Sequence, residues 1–154
     1  MPVRALYLDS NVFISYLEGS AADSVALKGL FEALLARPGT GVTSELTLAE
    51  VLAGSHKKGP QMKRAYLDLI VWSKGFSLAP VTRKILYDGA ELRTVHKQSV
   101  GRKLGLLDAI HLAAAIEAKC EYFVSADKAI ATPAGMTKVG FEASAIEQVC
   151  KAFA

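Results

Sequence analysis

Three carboxylates lie inside apolar runs, and they constrain the fold of this chain more than any other feature. Asp9 lies in ALYLDSNVFI, Glu50 in LTLAEVLA and Asp108 in GLLDAIHLAAA. An acid is almost never fully buried without a partner, because desolvating an ionised carboxylate costs far more than local packing returns. No matching cations stand beside these acids in the sequence. The simplest partner for several acids is one another, bridged by a divalent metal ion.

The composition is that of one ordinary globular domain. The chain has 154 residues, 51% of them apolar, and a mean hydropathy of +0.27, so we treat residues 1–154 as a single domain with material left for a subunit interface. No apolar run approaches the roughly 18 residues that span a bilayer, and the start of the chain reads as a strand and not as a signal peptide. We expect a soluble cytoplasmic protein with no membrane partner. The spacing of Cys120 and Cys150 predicts neither a disulfide framework nor a zinc site.

Short apolar segments alternate with helical patterns along the chain. Strands are predicted over residues 3–8, 41–43, 76–81, 122–125 and 138–140, and helices over 11–17, 23–35, 46–52, 62–72, 82–95, 106–119 and 144–153. Ser10 or Asn11 is expected to cap the first helix, and Ser44 the third. This alternation predicts an α/β fold: a single three-layer domain with a mostly parallel central sheet flanked by helices.

Sites in parallel sheets lie beyond the carboxyl ends of the strands, where the strand order reverses. Asp9 follows the first predicted strand, and Asp127 follows Ser125 of the fourth by two residues. Glu50 and Asp108 lie on flanking helices and can reach the same edge. The sequence therefore predicts that four acids converge there.

Four neighbouring acids need neutralisation. Two like charges about 4 Å apart repel by roughly 4 kcal/mol at an effective dielectric constant near 20, so an unneutralised cluster would protonate or separate. An all-oxygen ligand set without His or Cys suits Mg²⁺ or Mn²⁺, which keep several waters when bound. Such an ion lowers the pKa of a bound water and stabilises charge on a phosphate during in-line displacement. The residues thus indicate phosphodiester hydrolysis.

The segments LDSNVFI, TLAEVL, LLDAIHLAAA and VSADKA, in this order from Leu6 to Lys128, together resemble a PIN domain, particularly the small nucleases of VapC-type toxin–antitoxin pairs. The resemblance implies that the catalytic and metal-binding acids are Asp9, Glu50, Asp108 and Asp127. It implies that Ser125 supports the site from the strand end and that Ser10 keeps a hydroxyl where Thr is more usual. Ala126 stands where relatives often have a polar residue.

The same resemblance implies an activity and partners. The implied activity is that of an endoribonuclease that depends on Mg²⁺ or Mn²⁺ and leaves a 5′-phosphate and a 3′-hydroxyl. The implied partners are an RNA substrate, a second copy of the chain in a homodimer, and a small antitoxin whose tail enters the acidic site.

Simpler interpretations exist for individual residues. Asp9 alone could be a helix cap, Asp108 could cap a helix that begins at Ala109, and Asp127 could serve a turn. Asn11 is interpreted as a cap first and a neighbour of the site second. His111, among apolar residues three positions after Asp108, is predicted to be a hydrogen-bonded core residue outside the catalytic set.

The net charge of +3 comes from 18 Lys and Arg against 15 Asp and Glu. If the acids gather at one site, the remaining surface is more basic than this number suggests, which favours an anionic partner. Each basic group could be an ordinary solvated connector or could bind RNA phosphates. These candidate RNA-binding residues are Lys57, Lys58, Lys63, Arg64, Arg102 and Lys103.

Two other functions compete with nuclease activity. A metal-dependent phosphatase of the haloacid dehalogenase type also begins with an Asp at a strand end, but it needs a second Asp two residues later, where this chain has Asn11. A noncatalytic RNA-binding or partner-binding module with the same fold would be expected to have lost an acid, and none is lost.

Overall fold

A computed structural model of the protein describes residues 5–55, 58–100 and 104–153. Its strands are β1 (Leu6–Leu8), β2 (Gly41–Ser44), β3 (Phe76–Ala79), β4 (Tyr122–Val124) and β5 (Thr137–Val139). Its α-helices are α1 (Ser10–Glu18), α2 (Ala21–Leu35), α3 (Glu45–Ser55), α4 (Pro60–Leu67), α5 (Arg83–Val100), α6 (Leu106–Glu117) and α7 (Ala143–Phe153). No helix in these ranges is long and apolar enough to cross a bilayer.

The five strands form one parallel sheet in the order β3-β2-β1-β4-β5. Leu6 of β1 pairs with Gly41 on one side and with Tyr122 on the other. The chain builds outward from β1 to β3 and then returns to the other side of β1 with β4 and β5. The strand order therefore reverses between β1 and β4, and the carboxyl ends of these two strands form the crevice where such sheets place their sites.

Helices cover both faces of the sheet, which confirms the predicted three-layer α/β fold. Successive side chains of a strand point to opposite faces. Leu6 and Leu8 accordingly join an aromatic-rich core that includes α1, α2 and α7, whereas Tyr7 joins a second core with α5 and α6. Because all three residues are fully buried, β1 is the central element on which both cores rest.

The structure corrects two predicted helix starts. Asp9, and not Ser10 or Asn11, is the residue that caps α1, and its side chain accepts a hydrogen bond from Val12 N. The helix α2 begins at Ala21, before the predicted start at residue 23, because the Ser20 side chain caps it by accepting from the N–H of Asp23.

The predicted cap of α3 is confirmed, since Ser44 Oγ accepts from Leu46 N at 3.0 Å. At the edge of the sheet, β3 ends at Ala79, short of the predicted residue 81. Pro80 follows directly, and a proline has no N–H with which to continue a strand ladder.

Two other helices differ in extent. The predicted helix over residues 62–72 is α4 followed by a π-helical turn, Asp68–Trp72. The helix α5 continues to Val100, beyond the predicted end at residue 95. Its His96 is buried and accepts a hydrogen bond from Ala131 N at 3.2 Å. A polar residue that looked like the start of a loop is thus held in the helix by a contact distant in the chain.

Phe31 is the centre of the aromatic core. Its ring lies 4.2 Å from that of Tyr16, 5.5 Å from that of Phe13 and 5.9 Å from that of Phe76, measured between centroids. We predict that Phe31→Ala lowers the free energy of unfolding by about 3–5 kcal/mol, the usual cost of emptying an aromatic core site. Urea denaturation measures this, with Val25→Ala as the control on the exposed face of the same helix. Equal effects of the two substitutions would contradict the prediction.

Candidate acidic active site

Asp9 lies where β1 ends, in the crevice beside β4. Its backbone N–H contacts the carbonyl oxygen of Val124 at 3.5 Å, and the residue as a whole is only 2% exposed. Burial raises the pKa of Asp9 to about 6, while hydrogen bonds from Ser125 and from the N–H of Val12 oppose that rise. The fold therefore holds an acid in a place where its ionisation is costly.

Asp108 is the third residue of α6, whose N-cap is Gly105, so the alternative that Asp108 caps this helix is wrong. Its side chain is half-buried. Burial raises the pKa of Asp108, and the negative charges of Asp127 and Glu50 raise it further. The charge of Asp108 in turn raises the pKa of Asp9. Asp108 thus lies within electrostatic range of each of the other three predicted acids.

Ser125 links two of these acids at the end of β4. The buried side chain of Ser125 hydrogen-bonds to Asp9, and its Oγ accepts from the N–H of Asp127 at 3.1 Å. The Asp127 carboxylate accepts from Ala129 N at 2.9 Å. Asp127 therefore serves a turn, as the simpler interpretation had it, and the turn directs it toward the same site.

Glu50 reaches the site from the middle of α3 and contacts His111 of α6. Glu50 Oε1 lies 2.5 Å from His111 Nε2. On its other side, His111 Nδ1 lies 2.6 Å from the hydroxyl oxygen of Tyr7. The prediction that His111 is a buried, hydrogen-bonded residue is confirmed. Its partner, however, is one of the candidate site acids, which the sequence indicated only through its position one turn after Asp108.

Lys138 is a residue near the site that the sequence analysis missed. Its Nζ donates hydrogen bonds to the backbone carbonyls of Asp127 and Ile130. Burial lowers the pKa of Lys138, and the negative charges of Asp127 and Asp9 counteract that effect. The lysine in the short strand β5 was the available signal, since a charge that is half-buried in a sheet requires acceptors nearby.

A cavity of about 400 Å³ lies next to Ser125, the hydrogen-bond partner of Asp9, and none of the four acids lines it. Ser125 and Ala126 of the strand end line one side of it, and Lys128 and Lys138 supply positive charge. The remaining lining residues are Ser15, Asp23, Gly140, Phe141 and Glu142. The cavity combines an aromatic side chain, hydroxyl and carboxylate acceptors, and two cations beside the acidic cluster.

The other predicted site residues fall into two groups. Ser10 is buried at the start of α1, and Asn11 is exposed next to it. The second group is the candidate RNA-binding set, of which Lys57, Arg102 and Lys103 lie outside the described residues.

Two of the three described residues of this candidate RNA-binding set form ion pairs with acids. Lys58 pairs with Glu18 at 2.9 Å. Arg64 pairs with Asp68 at 3.4 Å and lies over the ring of Trp72. Lys63 is exposed. These pairs fit solvated surface charges, so this part of the RNA-binding prediction gains no support from the contacts.

The family is decided by a match over most of the chain. The family model described as PIN domain matches residues 6–135. The chain belongs to the PIN domain family. No curated protein shows significant sequence similarity to this PIN domain.

Solved structures resemble this PIN domain along most of their length. A chain of a toxin–antitoxin complex from Klebsiella pneumoniae is 25% identical, with a TM-score of 0.62 over 86% of this chain and 96% of that one. VapBC2 from Rickettsia felis, bound to a DNA fragment from its promoter, is 18% identical. Its TM-score is 0.66 over 88% of this chain and 98% of that one. VapC20 from Mycobacterium tuberculosis, a toxin described as cleaving the sarcin–ricin loop, is 17% identical. Its TM-score is 0.63 over 77% of this chain and 87% of that one.

The acids of this PIN domain fit a hydrated hard cation. In the described ranges, no three His, Cys, Asp or Glu side chains are grouped so that they could hold a metal ion by themselves. Burial is the main cause that raises the pKa values of Asp9 and Asp108, and the charges of neighbouring acids raise them further. Mg²⁺ is typically bound through one or two carboxylates and keeps several waters, so it does not need three protein ligands. A cation of this kind would lower the cost of ionising these acids.

The raised pKa of Asp9 predicts a pH-dependent stability. The folded protein binds a proton on Asp9 more tightly than the unfolded chain, whose value is near 3.8, so stability falls as the pH rises from about 4 through about 6. The difference amounts to about 3 kcal/mol at 1.36 kcal/mol per pKa unit. We therefore predict that Asp9→Asn in metal-free buffer is stabilising at pH 8 relative to pH 4, by up to that amount.

Urea unfolding of both proteins across this pH range measures the effect. Glu147→Gln, which removes an exposed acid of α7, is the control and should leave the profile parallel to that of the wild type. A parallel profile for Asp9→Asn would show that ionising Asp9 costs nothing in the fold.

Proposed function

We propose that this PIN domain is a metal-dependent endoribonuclease that hydrolyses RNA phosphodiester bonds, and that it is the toxin of a toxin–antitoxin pair. The observation that carries the proposal is that Asp108 lies within electrostatic range of Asp9, Glu50 and Asp127, with Asp9 at the point where the strand order reverses. The buried charge of Asp9 lowers the stability of the fold. Acids with strongly shifted pKa values in a cleft are typical of functional sites.

The four acids share one role in this proposal. Asp9, Glu50 and Asp108 would hold Mg²⁺ or Mn²⁺, with Asp127 as the fourth acid of the site. When bound, the ion supplies a water of lowered pKa and stabilises negative charge on the phosphate. Ser125 keeps the Asp9 carboxylate in place from the end of β4. The expected products carry a 5′-phosphate and a 3′-hydroxyl.

The cavity beside the acids supports RNA as the substrate. Its volume of about 400 Å³ lies within the range of ligand pockets. Proteins that read RNA sequence take up unpaired bases by stacking them on aromatic side chains and by hydrogen-bonding their edges. Phe141 can stack on such a base, and Lys128 can bind the neighbouring phosphate. The cavity, more than the ion-paired Lys58 and Arg64, is therefore the proposed RNA contact.

Toxin–antitoxin neighbours support the proposed partners. The Klebsiella and Rickettsia structures come from toxin–antitoxin complexes, and we propose that a small cognate antitoxin binds this chain as well. A homodimer and a cytoplasmic location, where RNA is accessible, belong to the same proposal.

The two rival functions find less support. The residue that a phosphatase of the haloacid dehalogenase type needs as its second Asp is here the exposed Asn11, and the family match is to PIN domains. A noncatalytic binding module could use Asp9 as the cap of α1, but it would have no use for Asp108 and the acids within its electrostatic range. That module remains the outcome if purified protein binds RNA without cleaving it.

Cleavage of RNA should require both metal and acids. We predict that the purified protein cleaves total RNA only with Mg²⁺ or Mn²⁺, and that Asp9→Asn or Asp108→Asn reduces cleavage by at least a hundredfold, because each removes a charge that holds the ion. Sequencing of cleavage ends measures activity, and circular dichroism verifies the fold. Glu147→Gln serves as the control acid. Undiminished cleavage in excess chelator, or in both site variants, would refute the proposed activity.

Lys128 should contribute to RNA affinity. In an Asp108→Asn background, which prevents turnover, we predict that Lys128→Gln raises the Kd for single-stranded RNA several-fold. The salt dependence of log Kd should fall by about 0.7, the value for one lost phosphate contact on a single strand. Lys151→Gln, which removes an exposed lysine paired with Glu147, is the matched control.

Lys58→Gln and Lys63→Gln test the basic group suggested by the sequence in the same assay. If Lys128→Gln and Lys151→Gln change the Kd equally, the cavity does not bind the RNA backbone.

A further inference from the structure

A chain of buried hydrogen bonds runs from β2 to Glu50. The Ser44 side chain hydrogen-bonds to the Tyr7 hydroxyl, which lies 2.6 Å from His111 Nδ1. His111 Nε2 then lies 2.5 Å from Glu50 Oε1. Ser44 and Tyr7 are fully buried and His111 is 1% exposed, whereas the Glu50 side chain is 24% exposed. The chain thus connects the interior of the sheet to the acidic site.

The direction of each bond follows from what each group can donate. An ionised Glu50 can only accept, so His111 Nε2 carries the proton of that bond. In a neutral ring Nδ1 is then the acceptor, and it accepts a hydrogen bond from the Tyr7 hydroxyl. Ser44 Oγ accepts from Leu46 N at 3.0 Å and donates its own proton to Tyr7. With the ring proton on Nε2, every donor in this chain of hydrogen bonds meets an acceptor.

Ring packing fixes the position of this chain. The Tyr7 ring stacks on that of Phe123 with centroids 5.2 Å apart and planes 13° apart. Its edge meets the His111 ring at 5.8 Å and 63°. Because Tyr7 and Phe123 lie on the paired strands β1 and β4, the sheet itself sets where the imidazole points.

We propose that Tyr7 and His111 are positioning residues that hold the Glu50 carboxylate by Oε1 and leave Oε2 for the metal and its waters. The inference rests on the proposed function, and it assigns to the site two residues outside the four acids. Glu50 would otherwise be pushed toward solvent by the like charge of Asp108, which it reaches electrostatically.

One turn of α6 couples the two acids. Asp108 and His111 are three residues apart on this helix and so share a face. The helix presents Asp108 directly and controls Glu50 through His111. The distance between two acids from different helices is thereby set by one rigid element.

The test compares two tyrosines that both hydrogen-bond to a glutamate. Tyr7→Phe removes the phenol proton and keeps the stacked ring. Tyr66→Phe is the matched control, because Tyr66 is fully buried and its hydroxyl donates to Glu18, an acid outside the candidate site. His111→Gln keeps a donor and an acceptor on one side chain, whereas His111→Ala removes both.

Manganese affinity is the decisive readout, and RNA cleavage is the second. Electron paramagnetic resonance of free Mn²⁺ gives the Kd. We expect Tyr7→Phe to raise it about tenfold and His111→Ala by 10- to 100-fold, as for other residues that orient metal ligands. We expect partial recovery with His111→Gln and no change with Tyr66→Phe. The kcat for RNA should fall in the same order with KM unchanged.

The outcomes separate this inference from the proposed function. If the wild type binds Mn²⁺ and cleaves RNA while Tyr7→Phe matches Tyr66→Phe in Mn²⁺ Kd, the positioning role is overturned and the nuclease stands. If the wild type neither binds Mn²⁺ nor cleaves RNA, both are overturned. Should His111→Ala fail to fold, Tyr7→Phe alone decides, because it preserves the packed ring.

Discussion

The burial of ionisable acids at one edge of the sheet is the constraint on which the rest of this structure depends. Asp9 is buried between the ends of β1 and β4 with its pKa raised to about 6, which corresponds to about 3 kcal/mol against folding at neutral pH. A domain of this size has roughly 5–15 kcal/mol of net stability. The two apolar cores on either side of β1 must therefore supply enough stability to tolerate the site.

Neutral hydrogen-bond donors make this tolerable without removing the charge. The Ser125 hydroxyl and the N–H of Val12 both bind the Asp9 carboxylate, and the N–H of Ala129 binds Asp127. The Ser125 and Val12 donors lower the cost of ionising Asp9, yet neither neutralises the acid. The negative charge thus remains available to a cation, and the preformed donors keep the acids from rearranging when one binds. The acids at the proposed site lower the stability of the fold, and such a loss of stability is common at functional sites.

The sequence predicted the three layers of the fold and the edge of the sheet at which Asp9 lies. It did not predict features that depend on contacts between residues distant in the chain. Short apolar strands between helical patterns suffice to predict β1, β4 and a parallel sheet, because periodicity and burial are local signals. The extension of α5 depends on a backbone N–H from Ala131 meeting His96, which no local pattern encodes. The bonds of Lys138 and the contact between Glu50 and His111 are of the same kind. Asp9, Glu50 and Asp108 stand out as candidates because an acid in an apolar run is a local anomaly, and Asp127 does so because it follows a predicted strand.

The division between core and site residues breaks down in α6. His111 looked like a core residue because its neighbours are apolar, and it is one by burial. Hydrogen bonds are electrostatically stronger in such a low-dielectric environment than in water, and an unpaired group there is costly. The apolar run around Asp108 therefore strengthens the bonds through Tyr7 and His111 that end at Glu50. A wetter helix face would satisfy the same groups with water and leave the carboxylate free to turn. In this view, the apolar residues around the acids help to orient their carboxylates.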